Sequence, residues 1–124
     1  MSAENIHFFL HLRNQIKLYH WQTHIYARHI ASDKAIDDLD KLIDSYVEIY
    51  IGKYGRKKLT KEQGTLHLTN MTEAGATRFL QASIRYVQGP LIRGLNKERD
   101  TDLLNLKDEM IGALNQLLYL FTLH

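Results

Sequence analysis

Apolar residues recur along the chain at helical spacing and divide it into four segments. Ile6, Phe9, Leu12, Ile16 and Tyr19, with Leu10 and Arg13 beside them, predict a first helix from about Glu4 to about Thr23. Ile36, Leu39, Ile43, Val47 and Tyr50 form the apolar face of a second, from about Tyr26 to Ile51, stopped by Gly52 and Gly55. Leu80, Ile84, Val87, Leu91 and Leu95 stand in near-heptad steps in a third, from about Thr72 to Asn96. Within it Gly89-Pro90 predicts a kink, because Pro90 has no amide proton and crowds the preceding turn. Leu103, Leu106, Met110, Leu114, Leu117 and Phe121 face inward in a fourth, from about Thr101 to Phe121, capped by Asp100 or Thr101. No strand-like alternation and no internal repeat interrupts them, so the chain reads as one all-α domain over residues 1–124.

The connections set the architecture. Only a few residues around His24 to Tyr26 join the first two helices, which predicts an antiparallel hairpin. The third and fourth are joined as tightly around Asn96 to Asp100. Between the hairpins lie about twenty residues, Gly52 to Met71, too many for a tight turn. At up to ~3.3 Å per residue they reach the far end of a bundle. Two antiparallel hairpins joined by one long crossover is the ferritin-like four-helix arrangement.

The polar face of the second helix carries the chemistry. From His29 the row continues as Asp33, Asp37, Asp40, Asp44 and Glu48, in steps of 4, 4, 3, 4 and 4. On a helix all six fall within an arc of roughly 100°. Stacked like charges cost about 0.2–0.5 kcal/mol per exposed pair, and a bound cation offsets that repulsion. His20 lies just upstream, in Tyr19-His20-Trp21-Gln22-Thr23-His24. Imidazole and carboxylate donors suit Fe(II), Mn(II) or Zn(II). In a hairpin turning near residue 25, His20 and Asp44 stand roughly 20 Å apart along the bundle, too far to share an ion within one chain. A two-fold dimer brings the far end of one second helix to the bend of its partner, so the spacing predicts a homo-oligomer.

The same residues resemble the Dps-type miniferritins, ferritin-like proteins that bind and oxidise ferrous iron between two subunits. That family's signature is His-Trp, then a second His with Asp four later, Asp eleven further on and Glu four after that. Here these positions are His20-Trp21, His29, Asp33, Asp44 and Glu48, and the 4, 11, 4 spacing is reproduced without a gap. Asp100-Thr101-Asp102-Leu103-Leu104 and Tyr119-Leu120-Phe121 are similar to the start and end of the family's last helix. The resemblance touches both hairpins and is faint from Gly52 to Leu95. It implies that His20 and His29 donate neutral imidazole nitrogen, and that Asp33, Asp44 and Glu48 bind iron and balance its charge on oxidation by peroxide or oxygen. Zn(II) or Mn(II) would substitute for iron. It also implies two-fold dimers, and a dodecameric shell storing ferric mineral if the family's assembly holds. Two departures stand out. The stretch from His20 to His29 is shorter than the family's usual spacing, and no lysine-rich tail of the kind some relatives use on DNA precedes the first helix, so DNA binding is expected to be weak or absent. The short chain resembles compact Dps-like proteins predicted from large viruses and phages. The expected location is therefore the cytoplasm, or a virion or host cytoplasm.

Competing readings attach to each feature. The acidic row reads equally as a solvated face softened by Lys34 and Lys41, in which case the bundle is a non-enzymatic assembly module, for instance of a viral particle. A DNA-compacting protein is a third reading. His24 reads as a helix-end residue or as a hydrogen-bonding neighbour of the ligands, and Asp37 and Asp40 as an extension of the row. Trp21 reads as a packing residue near the interface, and an aromatic beside iron also takes up oxidising equivalents. Asp108-Glu109 lacks a Glu-x-x-His pattern and reads as solvated. His7, His11, His67 and His124 have no assigned partner. Lys53, Arg56, Lys57, Lys58 and Lys61 form a basic cluster in the long connection, a soluble loop or a phosphate contact.

Composition narrows the field further. With no cysteine there are no disulfides, thiolate metal sites or cysteine nucleophile. A net charge of +2 is no argument for nucleic acid. No charged-then-apolar leader and no long apolar run is visible, so neither export nor a membrane span is expected.

Overall fold

A computed structural model describes residues 3–123. Four helices carry the chain: α1 (Ala3–Gln22), α2 (Tyr26–Tyr54), α3 (Glu73–Gln88) and α4 (Thr101–Leu120). A single 3₁₀ turn, Pro90–Ile92, follows α3. The described residues contain no strand. None of their helices is long and apolar enough to cross a membrane.

Side-chain contacts give the direction of each helix. Lys17 meets Asp33 and Arg13 meets Asp40, so α2 descends as α1 rises. The connection from 55 to 72 then lies along α1. His7 Nε2 donates to the Thr65 carbonyl at 2.9 Å and His11 Nε2 to the His67 carbonyl at 3.1 Å. Gln15 exchanges bonds with the Thr69 backbone at 2.6 and 3.0 Å, and Gln22 donates to Asn70. The register follows from geometry: four helical residues rise about 6 Å, close to the span of two extended ones. α3 therefore starts beside the end of α1, where Tyr19 and Thr23 donate to Glu73. It ends beside the start of α1, where the Tyr86 hydroxyl donates to Asn5. α4 returns, from Lys53 at its first turn to Tyr19 and Arg28 against Phe121.

Phe9, Leu12, Ile16, Tyr19, Ile36, Leu39, Leu80, Val87, Leu103, Leu114 and Leu117 form one core, mostly on the faces the periodicity marks. Two boundaries differ from the pattern. α2 passes through Gly52 and stops at Gly55, whose φ of 88° suits glycine. Its last turn is held by the Tyr54 hydroxyl on Asp100 at 2.6 Å and Lys53 on Asp102 at 2.6 Å, which outweighs the cost of a helical glycine. Gly89-Pro90 ends α3 where the sequence predicts a kink: Gly89 leaves helical dihedrals (φ −123°, ψ −83°) and Pro90 opens the 3₁₀ turn. Asp100 occupies the cap position of α4 but does not cap it. Its buried carboxylate turns instead to Tyr54, Lys53 and the Asn96 amide.

Tyr46 is the largest of the core residues the periodicity misses, the others being Ala31, Ala35 and Ala76. It is fully buried, edge-on to Phe9, and its hydroxyl has no protein hydrogen-bond partner among the described residues. Burial pushes its pKa well above the ordinary tyrosine value. An unpaired buried hydroxyl costs about 1–3 kcal/mol, so Tyr46→Phe is expected to raise the urea midpoint. A lower midpoint would mean that the hydroxyl has a bonded partner, such as an internal water.

Candidate metal centre

The turn at Thr23–Ile25 sets His20, in the last turn of α1, against His29, in the first turn of α2. His20 is buried and His29 half-buried. Their rings stack with centroids 3.9 Å apart and planes 12° apart. Each ring is fastened to the other's backbone. His20 Nδ1 donates to the His29 carbonyl at 2.6 Å, and His29 Nδ1 to the His20 carbonyl at 2.8 Å. The His20 carbonyl is among the last four of α1, which lack an intrahelical partner. Ser32 Oγ lies 3.2 Å from His20 Nδ1 and donates to the Arg28 carbonyl. Because a carbonyl only accepts, both Nδ1 atoms carry the proton. In the neutral rings both Nε2 atoms are therefore free lone pairs, the tautomer that a metal-binding histidine needs.

His20 Nε2 faces Asp33 Oδ1 at 3.9 Å. That is too long for a hydrogen bond. It fits two donors on one ion, since ligands each ~2.1 Å from a metal stand roughly 3.0–4.2 Å apart. Lys17 Nζ reaches the same oxygen at 3.8 Å and lies 5.3 Å over the Trp21 ring. Tyr26 stacks on His29, centroids 6.4 Å apart.

Asp44 and Glu48 do not join this group. They are exposed one turn apart, with Asp44 11 positions beyond Asp33, about 16 Å along the helix. Among the described residues no three His, Asp or Glu side chains come together as a set that could hold a metal ion. The face thus divides into a histidine-rich end and a carboxylate end. Asp33 and Asp40 are paired by Lys17 and Arg13 from α1, while no ion pair of the described residues reaches Asp37, Asp44 or Glu48. Lys34 pairs with Asp38, not with the row it was expected to soften.

The remaining features fall into place around the bundle. His24 and Trp21 are exposed, as are Asp108 and Glu109, with Asp108 paired to Lys107. Trp21 is thus a surface residue in the single chain, not a packed one. His7 and His11 hold the crossover, His67 is exposed, and His124 lies outside the described residues. Lys53 leaves the basic cluster for Asp100 and Asp102; Arg56, Lys57, Lys58 and Lys61 stay exposed.

The histidine end is braced by a network that the sequence does not reveal. Arg28 donates to the Tyr19 hydroxyl at 3.0 Å, the Glu73 carbonyl at 2.8 Å, the Glu73 carboxylate at 3.3 Å and the Phe121 carbonyl at 3.3 Å. Burial pushes the Glu73 carboxyl up, but hydrogen bonds from Tyr19 and Thr23 and the Arg28 charge outweigh it, and its pKa is lowered. Lys17 and Ser32 were also missed, although helical spacing from His20 and His29 marks both.

The family of unknown function DUF5856 matches residues 20–121. The chain belongs to that family. No curated protein and no solved structure matches it. The DUF5856 segment begins at His20 and contains all five candidate ligands, whereas Lys17 precedes it.

Proposed function

We propose that this protein is a Dps-like, ferritin-fold miniferritin that takes Fe(II) as substrate and oxidises it with peroxide or oxygen at sites shared across two-fold dimers. With peroxide the balance is two Fe(II), one H₂O₂ and two protons giving two Fe(III) and two waters. One observation carries the reading. The reciprocal His20 and His29 bonds fix both Nδ1 protons and leave two Nε2 lone pairs unused, that of His20 facing Asp33. A partner's Asp44 and Glu48 would complete the donor set and balance the rising charge of the oxidised ion. The path of residues 55–72 along α1 supports the ferritin-like connection. If dimers close into a shell, the ferric product is stored inside it.

The test is ferric absorbance after mixing with Fe(II) and hydrogen peroxide. Wild type is expected to outpace buffer, and the Asp44→Ala, Glu48→Ala double variant to match buffer. Glu48→Ala alone is expected to weaken Zn(II) binding in calorimetry by more than the ~10–100-fold typical of a residue that only supports a ligand. A second reading, a non-enzymatic assembly module, is favoured by the pairing of Asp33 and Asp40 with Lys17 and Arg13. It takes the lead if wild type accelerates oxidation by neither peroxide nor oxygen.

A further inference from the structure

We infer that Lys17 is a displaceable counter-ion built into the metal site. It pairs with Asp33 until a divalent ion displaces it, and then rests on the indole face of Trp21. The inference depends on the metal-site reading above and adds to it a residue that sets affinity.

Lys17 Nζ and His20 Nε2 approach one and the same oxygen, Asp33 Oδ1, at 3.8 and 3.9 Å. An ion bound between that oxygen and Nε2 therefore arrives beside an ammonium. A divalent ion and an ammonium about 5 Å apart repel enough, even in a water-like medium, to shift binding roughly tenfold. The lysine has somewhere to go. Residues 17, 20 and 21 share one side of α1, so the same stem that reaches Asp33 also reaches Trp21. The ammonium already lies 5.3 Å from the indole centroid, within the range of a cation–π attraction. Trp21 is 68% exposed, so its face is open to receive the charge. A four-carbon stem with a point charge moves between two such rests at little strain, which a planar guanidinium would not do as freely. The consequence is tempered affinity. The two imidazoles and the carboxylates hold an ion less tightly than they would alone, which suits a metal that is substrate and must leave after oxidation.

Zn(II), which is redox-silent, is the probe. Binding is followed by calorimetry, and the lysine by the emission of Trp21, the single tryptophan of the chain. Wild type is expected to bind Zn(II) with a change in emission. Lys17→Met is expected to bind about tenfold more tightly and to lose most of the emission change, while Lys17→Arg keeps the weaker affinity. Lys17→Gln serves if the methionine variant does not fold, as judged by circular dichroism. Unchanged or weaker Zn(II) binding in the neutral variants, with binding itself intact, overturns the counter-ion and leaves the metal site standing. No Zn(II) binding by any variant removes the metal site, and the role of Lys17 with it.

Discussion

An equimolar mixture of a His20→Ala, His29→Ala chain with an Asp44→Ala, Glu48→Ala chain is expected to recover about a quarter of wild-type ferrous oxidation, though each variant alone is inactive. The figure follows from two-fold symmetry. After full exchange half of the dimers are mixed, and each mixed dimer has one site built wholly from undamaged positions and one that keeps only Asp33. The geometry makes the experiment decisive. His20 and His29 stack beside the Thr23–Ile25 turn with Asp33 next to His20, whereas Asp44 and Glu48 lie about three and four turns beyond Asp33 on the exposed face of α2. No bend in α2 brings the two groups together within one chain, because the helix runs unbroken from Tyr26 to Tyr54. Single-chain chemistry would leave the mixture inactive after subunit exchange verified by mass spectrometry. A wild type that sediments as a monomer at micromolar concentration would end the shared-site model. The exposed Tyr26 and Ile30 flank His29 and are the side chains expected to be covered on dimerisation.

What the sequence discloses and what it hides follow a physical line. Helical periodicity is a local signal, and Leu12, Ile16, Leu39, Leu80, Leu103 and Leu114 are buried as it marks them. The spacing His29, Asp33, Asp44, Glu48 is equally local, because it lies on one helix, and its common exposed face was legible. Helix ends were less so. Gly52 looked like a stop, yet the tertiary bonds of Lys53 and Tyr54 to Asp100 and Asp102 carry α2 onward to Gly55. Asp100 looked like a cap, yet it serves that same cluster. Long-range partners were not legible at all. The Arg28–Glu73 pair joins residues 45 positions apart, and nothing in either neighbourhood announces it. The interlocked histidines occupy an intermediate place. The sequence put both near one bend, but only the fold shows each Nδ1 on the other's carbonyl, and that bond decides which nitrogen is free.

Arg28→Ala is expected to destabilise the fold by about 3 kcal/mol, the largest single-residue loss outside the apolar core. The guanidinium is 12% exposed and ties α2 to Tyr19 of α1, to Glu73 of α3 and to the carbonyl of Phe121 after α4, with its plane over the Phe121 ring at 4.5 Å. Its removal leaves the Glu73 carboxylate short of a charge partner, so more is lost than the bonds themselves. The loss carries a pH signature. The folded pKa of Glu73 lies below its ordinary value of 4.5, so its stabilisation is present above that pH and is lost as pH falls through the folded pKa. Without Arg28 the lowering shrinks, and the variant should lose less stability between pH 7 and the acid range than wild type does. Asp100, whose carboxyl is also held down, by Tyr54 first and then by the Asn96 amide and Lys53, titrates at the other end of the bundle in both proteins and serves as the internal control. Urea unfolding at neutral and acid pH reads both effects. Equal midpoints at pH 7, or parallel acid losses, would show that Arg28 does not brace the helix ends. Those ends present His20 and His29, so the variant also tests whether the brace keeps the two imidazoles stacked. A loosened pair would cost Zn(II) affinity by roughly the 10–100-fold typical of a residue supporting a metal ligand, and an intact pair would leave affinity unchanged in a less stable protein.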